Sequence, residues 1–201
     1  MDLAYLEAQF HVFGNSWPVQ LLISALGFLF LAYRFDNGLV LSLALSTLAA
    51  YFGFQLSGWP VGFAAYYRWY AILYGILVLS VGLALDFNSI KKHFFGIYTN
   101  FAAHFLFIAA LSGLWEFGLI SPYFLLLALL CSISAAYAFC SHDFLYLFYA
   151  VIYGYSGLTF IVLSHIYSPP LLFSYFILSS MLVASAVYRI YLLSRTAGEE
   201  Q

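Results

Sequence analysis

Seven long apolar stretches, each closed off by a charged residue, proline, glycine or asparagine, dominate this chain. They cover residues 18–33, 38–56, 62–85, 94–115, 122–140, 144–164 and 170–193. A membrane-crossing helix needs roughly 20 mostly apolar residues, because each residue advances 1.5 Å across a hydrocarbon layer about 30 Å thick. The stretches therefore predict seven spanning helices, the first short enough to borrow a turn from a flank. Pro18, Pro122 and Pro170 fall in predicted first turns, where the missing N–H costs no helical hydrogen bond. No stretch carries an interior proline. Barrel strands would alternate apolar with polar residues, and these runs are continuous. The predicted fold class is an all-α polytopic transmembrane helix bundle.

Charge leads to the same solvent. Only 7% of the 201 residues are Asp, Glu, Lys or Arg, where soluble domains carry about 25%. Fourteen charges cannot cover a water-facing surface. The net charge of −2 leaves no basic stripe for a nucleic-acid partner. The N-terminus lacks the positive region of a cleavable signal peptide. The two cysteines, Cys131 and Cys140, share one stretch. A helix separates them by about 13.5 Å, too far for a disulfide. Their spacing fits no zinc pattern, and no metal site is expected.

The basic residues predict an orientation. With the N-terminus outside, the inner side collects Arg34, Lys91, Lys92, Arg189 and Arg195, and the outer side holds only Arg68. Five against one follows the positive-inside bias. The same alternation puts Trp17, Trp59, Trp69 and Trp115 at the outer interface, the layer that indoles favour. Residues 1–17 form an outer segment. Within it, Leu3, Leu6, Phe10 and Phe13 lie near one face of an expected interfacial helix. Residues 18–193 make the single bundle domain, and 194–201 an inner polar tail expected to be disordered.

Helices in lipid associate through small residues and polar contacts, since lipid tails are as apolar as leucine. Ser42, Ser46 and Ala50, then Ser132 and Ala136, Ala150 and Gly154, and Ser180 and Ala184 mark candidate contact faces. Two tyrosine stripes stand out: Tyr67, Tyr70 and Tyr74 on the third stretch, and Tyr146, Tyr149 and Tyr153 on the sixth. A buried phenol needs a partner. The stripes therefore read as interhelical bonding with an aromatic belt, or alternatively as a pocket for a lipid, quinone or pigment.

Ionisable residues inside a span are costly and are functional candidates. His104 lies near the middle of the fourth stretch, Asn100 one turn earlier and His93 at its inner edge, roughly on one helical face. Candidate binding residues are therefore His104, Asn100, Tyr70, Tyr74, Tyr149 and Tyr153. The alternative for His104 is a neutral histidine bonded to a neighbouring helix. His104 is the only histidine at depth, which argues against a bis-histidine haem. The only lysines, Lys91 and Lys92, lie in a loop, which argues against a retinal Schiff base. Bound lipids are expected. Arg68 and Glu116 sit near the outer ends and are candidates to pair, with Arg68 close enough to an end to snorkel. Asp143 is placed to cap the sixth helix. No metalloprotease, nucleophile-elbow, phosphate-loop or dinucleotide motif is present, and no two deep carboxylates face one another.

The segments FLAYRFDNGLVLSLALSTLAAYFG (30–53), KKHFFGIYTNFAAHFLFIAALSG (91–113) and AVIYGYSGL (150–158) resemble a bacterial family of predicted multi-spanning membrane proteins, catalogued as a domain of unknown function. The resemblance, over about residues 20–165, implies a bacterial inner-membrane protein and carries no activity. Members often begin with a cytosolic helical segment and further spans, so both a complete small member and part of a longer one stay open. The leading expectation is a structural or accessory subunit, or scaffold, of a membrane assembly that contacts other subunits or itself. Alternatives are a carrier for a small molecule, lipid cofactor or proton centred on His104, and a lipid-modifying enzyme using His93, His142 and Asp143.

Overall fold

Prolines, asparagines and glycines set the helix limits. A computed structural model describes residues 17–57, 64–141, 143–166 and 168–199. The expected interfacial helix, Trp59 and His142 lie outside the described residues. Among the described residues all regular structure is helical: α1 (Trp17–Phe35), α2 (Gly38–Ser57), α3 (Ala64–Phe87), α4 (Phe95–Phe117), α5 (Pro122–Ser141), α6 (Leu145–His165) and α7 (Pro169–Glu199). A 3-10 turn, Lys92–Phe94, leads into α4. Among the described residues five helices are long and apolar enough to cross a membrane, the character of a multi-pass integral membrane protein. The apolar segments of α1 and α2, Val19–Phe35 and Gly38–Gly53, are shorter.

Local chemistry explains the ends. Asn37 caps α2, its Oδ1 accepting the N–H groups of Leu39 at 2.9 Å and Val40 at 3.3 Å. At α6 the N-cap position is Phe144, which makes no side-chain cap bond, and the Asp143 carboxylate one residue earlier accepts the Leu145 N–H at 3.2 Å. Gly118 ends α4 with φ +72°, a left-handed conformation that costs glycine nothing. At the C-terminal end the expected polar tail is corrected: α7 runs on through Arg195 to Glu199. Nothing between Leu193 and Glu199 is a proline, and Arg, Ala and Glu are strong helix formers, so polarity alone does not stop the helix.

The chain divides into two compact units, Met1–Phe105 and Leu106–Gln201. In the first, α1 and α2 pack as a hairpin. Ala32, Leu41, Leu45, Tyr74, Val78, Phe94, Tyr98 and Ala102 form its core. Helix α3 meets α4 at Gly82, where a Cβ would stand 2.7 Å from that of Tyr98. Tyr33 and Tyr98 share a hydroxyl–hydroxyl bond of 2.8 Å. In the second unit α5 and α6 form a hairpin. The Tyr123 ring of α5 lies against Gly113, and Leu127 against Gly157. Phe107 stacks on Tyr153 at 4.5 Å, and Trp115 on Phe160 at 4.6 Å. Helix α7 leans on α6 through two hydrogen-bonded pairs, Tyr155–Ser179 at 3.1 Å and Thr159–Tyr175 at 2.9 Å. No residue of its most apolar stretch is buried within the chain.

Of the expected small-residue contact faces, Ala150 and Gly154 pack inside the second unit, where the Cys131 thiol reaches the Ala150 carbonyl at 3.6 Å and lies close to Gly154; most of the others face outward. Ser46, Ala50, Ser132, Ala136, Ser180 and Ala184 are all exposed. The hydroxyls of Ser42, Ser46 and Ser132 donate to carbonyls one turn back in their own helices, at 3.1, 2.8 and 2.8 Å. Other small residues fill tight positions too, among them Ala25, Ala32, Ala44, Ala102, Ala110 and Ala138.

Candidate functional site

The polar residues of the first unit gather at two levels. At one edge, the α1–α2 and α3–α4 turns meet. Asp36 Oδ1 accepts Lys91 Nζ at 2.7 Å and faces His93 Nε2 at 2.9 Å. Asp36 and Lys91 both hold positive φ, 57° and 50°, which brings their side chains together. His93 belongs to the 3-10 turn that leads into α4, and its ring reaches Asp36.

The hydrogen bond from Lys91, aided by the charges of His93 and Lys91, holds the Asp36 carboxyl below its ordinary value of 3.8. A depressed carboxylate contributes above its unfolded value and loses that contribution as pH falls through its folded value. Amide-exchange protection of the two turns is thus expected to stay constant from about pH 6 to about pH 4 and to fall only below the ordinary carboxylate value. Asp36→Asn should lower it throughout that range. Equal protection in both proteins would show the pairing to be idle.

Deeper in the unit, Asn100 and His104 lie one turn apart on α4 and are both half-buried. The Asn100 Oδ1 is buried with no hydrogen-bond partner. Tyr74 is buried and donates to the Leu45 carbonyl at 2.7 Å. Its ring meets the edges of Phe105 at 4.7 Å and Phe52 at 5.9 Å. Tyr67 and Tyr70 are exposed at the start of the same helix. A cavity of about 190 Å³ lies between them, lined by Ala49, Phe52, Tyr67, Tyr70, Tyr74 and Phe105 with two further small residues.

The other stripe sits in the second unit. Tyr146 is buried and packs edge-on against Tyr137 at 4.9 Å and Tyr149 at 5.9 Å, while Tyr153 is taken by Phe107. The six candidate residues thus divide, with Tyr70, Tyr74, Asn100 and His104 in one unit and Tyr149 and Tyr153 in the other.

Arg68 departs from expectation. It is 3% exposed, its side chain covered by the chain itself. It shares its helical phase with Gly75, Val78 and Gly82, the buried face of α3. Glu116 is exposed in the second unit. The sequence reading also missed the Tyr33–Tyr98 bond and the burial of Gln20, whose Oε1 has no hydrogen-bond partner. Matched depth was the available signal for the tyrosine pair. Tyr33 lies two residues before the end of α1, and Tyr98 three residues into α4.

Among the described residues no group of three or more His, Cys, Asp or Glu side chains could hold a metal ion. No protein-family model, curated protein or solved structure matches this chain.

Proposed function

We propose that the protein is a seven-span bundle with its N-terminus outside and C-terminus inside, acting as a structural or accessory subunit of an assembly in a bacterial inner membrane. The carrying observation is the exposure of the small-residue faces on α2, α5 and α7. Small residues let helix backbones approach closely in lipid, and here three such faces are left for contacts with other chains. Helix α7 supports the reading, since it leaves an open apolar groove beside α6 lined by Tyr155, Ser180, Val183, Ala184 and Val187. The meeting of the α1–α2 and α3–α4 turns at Asp36 supports the alternating topology, because both turns are then inner loops.

The test is stoichiometry in lipid nanodiscs, before and after gentle crosslinking. The native chain should be recovered with a second copy or a stoichiometric partner. Ala136→Leu with Ala184→Leu should release a folded monomer. A lone native monomer with no crosslinked product contradicts the proposal.

One observation favours a second reading, a carrier centred on His104: the partnerless Asn100 oxygen one turn away. Under it, His104→Leu abolishes proton or solute flux in proteoliposomes while yield and stoichiometry are unchanged. Unaltered flux removes the reading.

A further inference from the structure

The cavity of the first unit has a chemistry of its own, separate from the exposed faces that carry the subunit proposal. We propose that it binds the apolar chain of a single amphiphile, an acyl or a prenyl chain, entering from the end of α3 that carries Tyr67. Tyr67 lies in the first turns of α3, and Tyr74 is seven residues further on, about 10 Å deeper. Tyr67 and Tyr70 are both exposed. The rest of the lining is apolar: the rings of Phe52, Tyr74 and Phe105 with the small residues Ala49, Gly53 and Ala71. Tyr74 adds no polar group there, because its hydroxyl is already committed to the Leu45 carbonyl at 2.7 Å.

This gradient selects the occupant. A water in a cavity needs two to four polar partners, and apolar cavities stay dry and take apolar ligands. The volume of about 190 Å³ holds roughly six groups of about 30 Å³ each. That suits one end of a chain and is far too small for a pigment macrocycle. Around helices this apolar, lipid chains are the most concentrated solute. Exposed tyrosines toward the start of α3, with an apolar slot beside them, match a head group next to a chain. The space exists because Ala49 and Ala71 are small, on facing helices.

The experiment uses the full chain in phosphatidylcholine nanodiscs with two diazirine probes, one on the chain of a lysophosphatidylcholine and one on farnesyl phosphate. At least one probe should label peptides containing Tyr70, Ala71, Tyr74 or Phe105 saturably. An excess of its unlabelled parent should compete. Preference for the first probe identifies a phospholipid source, and preference for the second an isoprenoid. Ala71→Leu should cut the labelling about tenfold, which corresponds to about 1.4 kcal/mol, with no change in melting temperature or stoichiometry. Ala49→Leu, from the facing wall, should do the same and serves if the first variant does not fold. Labelling that never saturates, that falls equally on the exposed Leu73 and Leu77, or that persists in both leucine variants overturns the proposal. Stoichiometry is read in the same samples, so failure here leaves the subunit proposal standing and the converse also holds.

Discussion

Gly113→Leu is expected to lower the thermal midpoint of the detergent-solubilised protein more than any other glycine substitution. A Cβ at Gly113 would overlap the Cγ, Cδ1 and Cδ2 atoms of Tyr123. Those atoms belong to a rigid ring next to the α5 backbone, and no side-chain rotation short of moving the helix clears them. Phe117, stacked on the same ring at 5.7 Å with an interplanar angle of 13°, closes off one direction of escape. Overpacking a tight contact costs about 1–3 kcal/mol, occasionally more. Replacing glycine within a helix returns only about 1 kcal/mol of propensity, so the clash wins. The sign reverses where there is room. At Gly27 and Gly53 nothing lies within 4 Å of the added carbon. Alanine there should stabilise by up to about 1 kcal/mol. Gly157→Ala falls between, because the atom it meets, Leu127 Cδ2 at 2.5 Å, is the end of a flexible side chain. If Gly113→Leu melted with the native protein, the α4–α5 contact described above would be wrong.

Phe94→Ala should be the most damaging single truncation in the first unit. Phe94 is 1% exposed, and its ring meets that of Tyr33 edge-on at 5.4 Å. Its neighbour His93 tilts against it at 4.3 Å while reaching Asp36. The side chain therefore anchors the 3-10 turn as well as filling the core. Truncating a buried phenylalanine costs about 3–5 kcal/mol, through lost transfer energy and the cavity left behind. Phe94→Leu, which keeps much of the volume, should cost far less. Unfolding by heat or by added denaturing detergent measures both. Phe35→Ala is the control, because Phe35 is exposed and loses little. A Phe94→Ala protein as stable as that control would place Phe94 outside the core.

How much of this was legible in the sequence depends on what kind of feature is asked about. Helix number and limits among the described residues followed from continuous apolar runs and from residues whose backbone chemistry is local, such as Pro122, Asn37 and Gly118. Asp143, read as the cap of α6, sits one residue before the N-cap Phe144 and still accepts the Leu145 N–H. The end of α7 was not legible from polarity, since Arg195 and Glu199 form helices well. Which face of a helix turns inward was harder still. In an all-apolar helix every face is compatible with lipid, so periodicity says little. Arg68 was read from its nearness to an end, yet its phase with Val78 decides its burial. Tyr67, Tyr70 and Tyr74 look alike on one stripe, but only Tyr74 is deep enough to find the Leu45 carbonyl. Small residues mark close packing without saying whether it occurs within a chain or between chains, and here most of the expected ones face outward.

The most direct measurement for the bundle is side-specific labelling of single cysteines with a membrane-impermeant maleimide, in right-side-out and inverted vesicles. Cys140 is native and exposed at the end of α5. Ile120, fully exposed in the α4–α5 turn, and Phe35, exposed at the end of α1, supply the other positions as Ile120→Cys and Phe35→Cys. Seven spans with the N-terminus outside predict that Cys140 and Phe35→Cys react only in inverted vesicles and that Ile120→Cys reacts only in right-side-out ones. Reaction of Cys140 and Ile120→Cys from the same side would contradict the crossing of α5. Reaction of Phe35→Cys from the outside would contradict the crossing of α1 and α2.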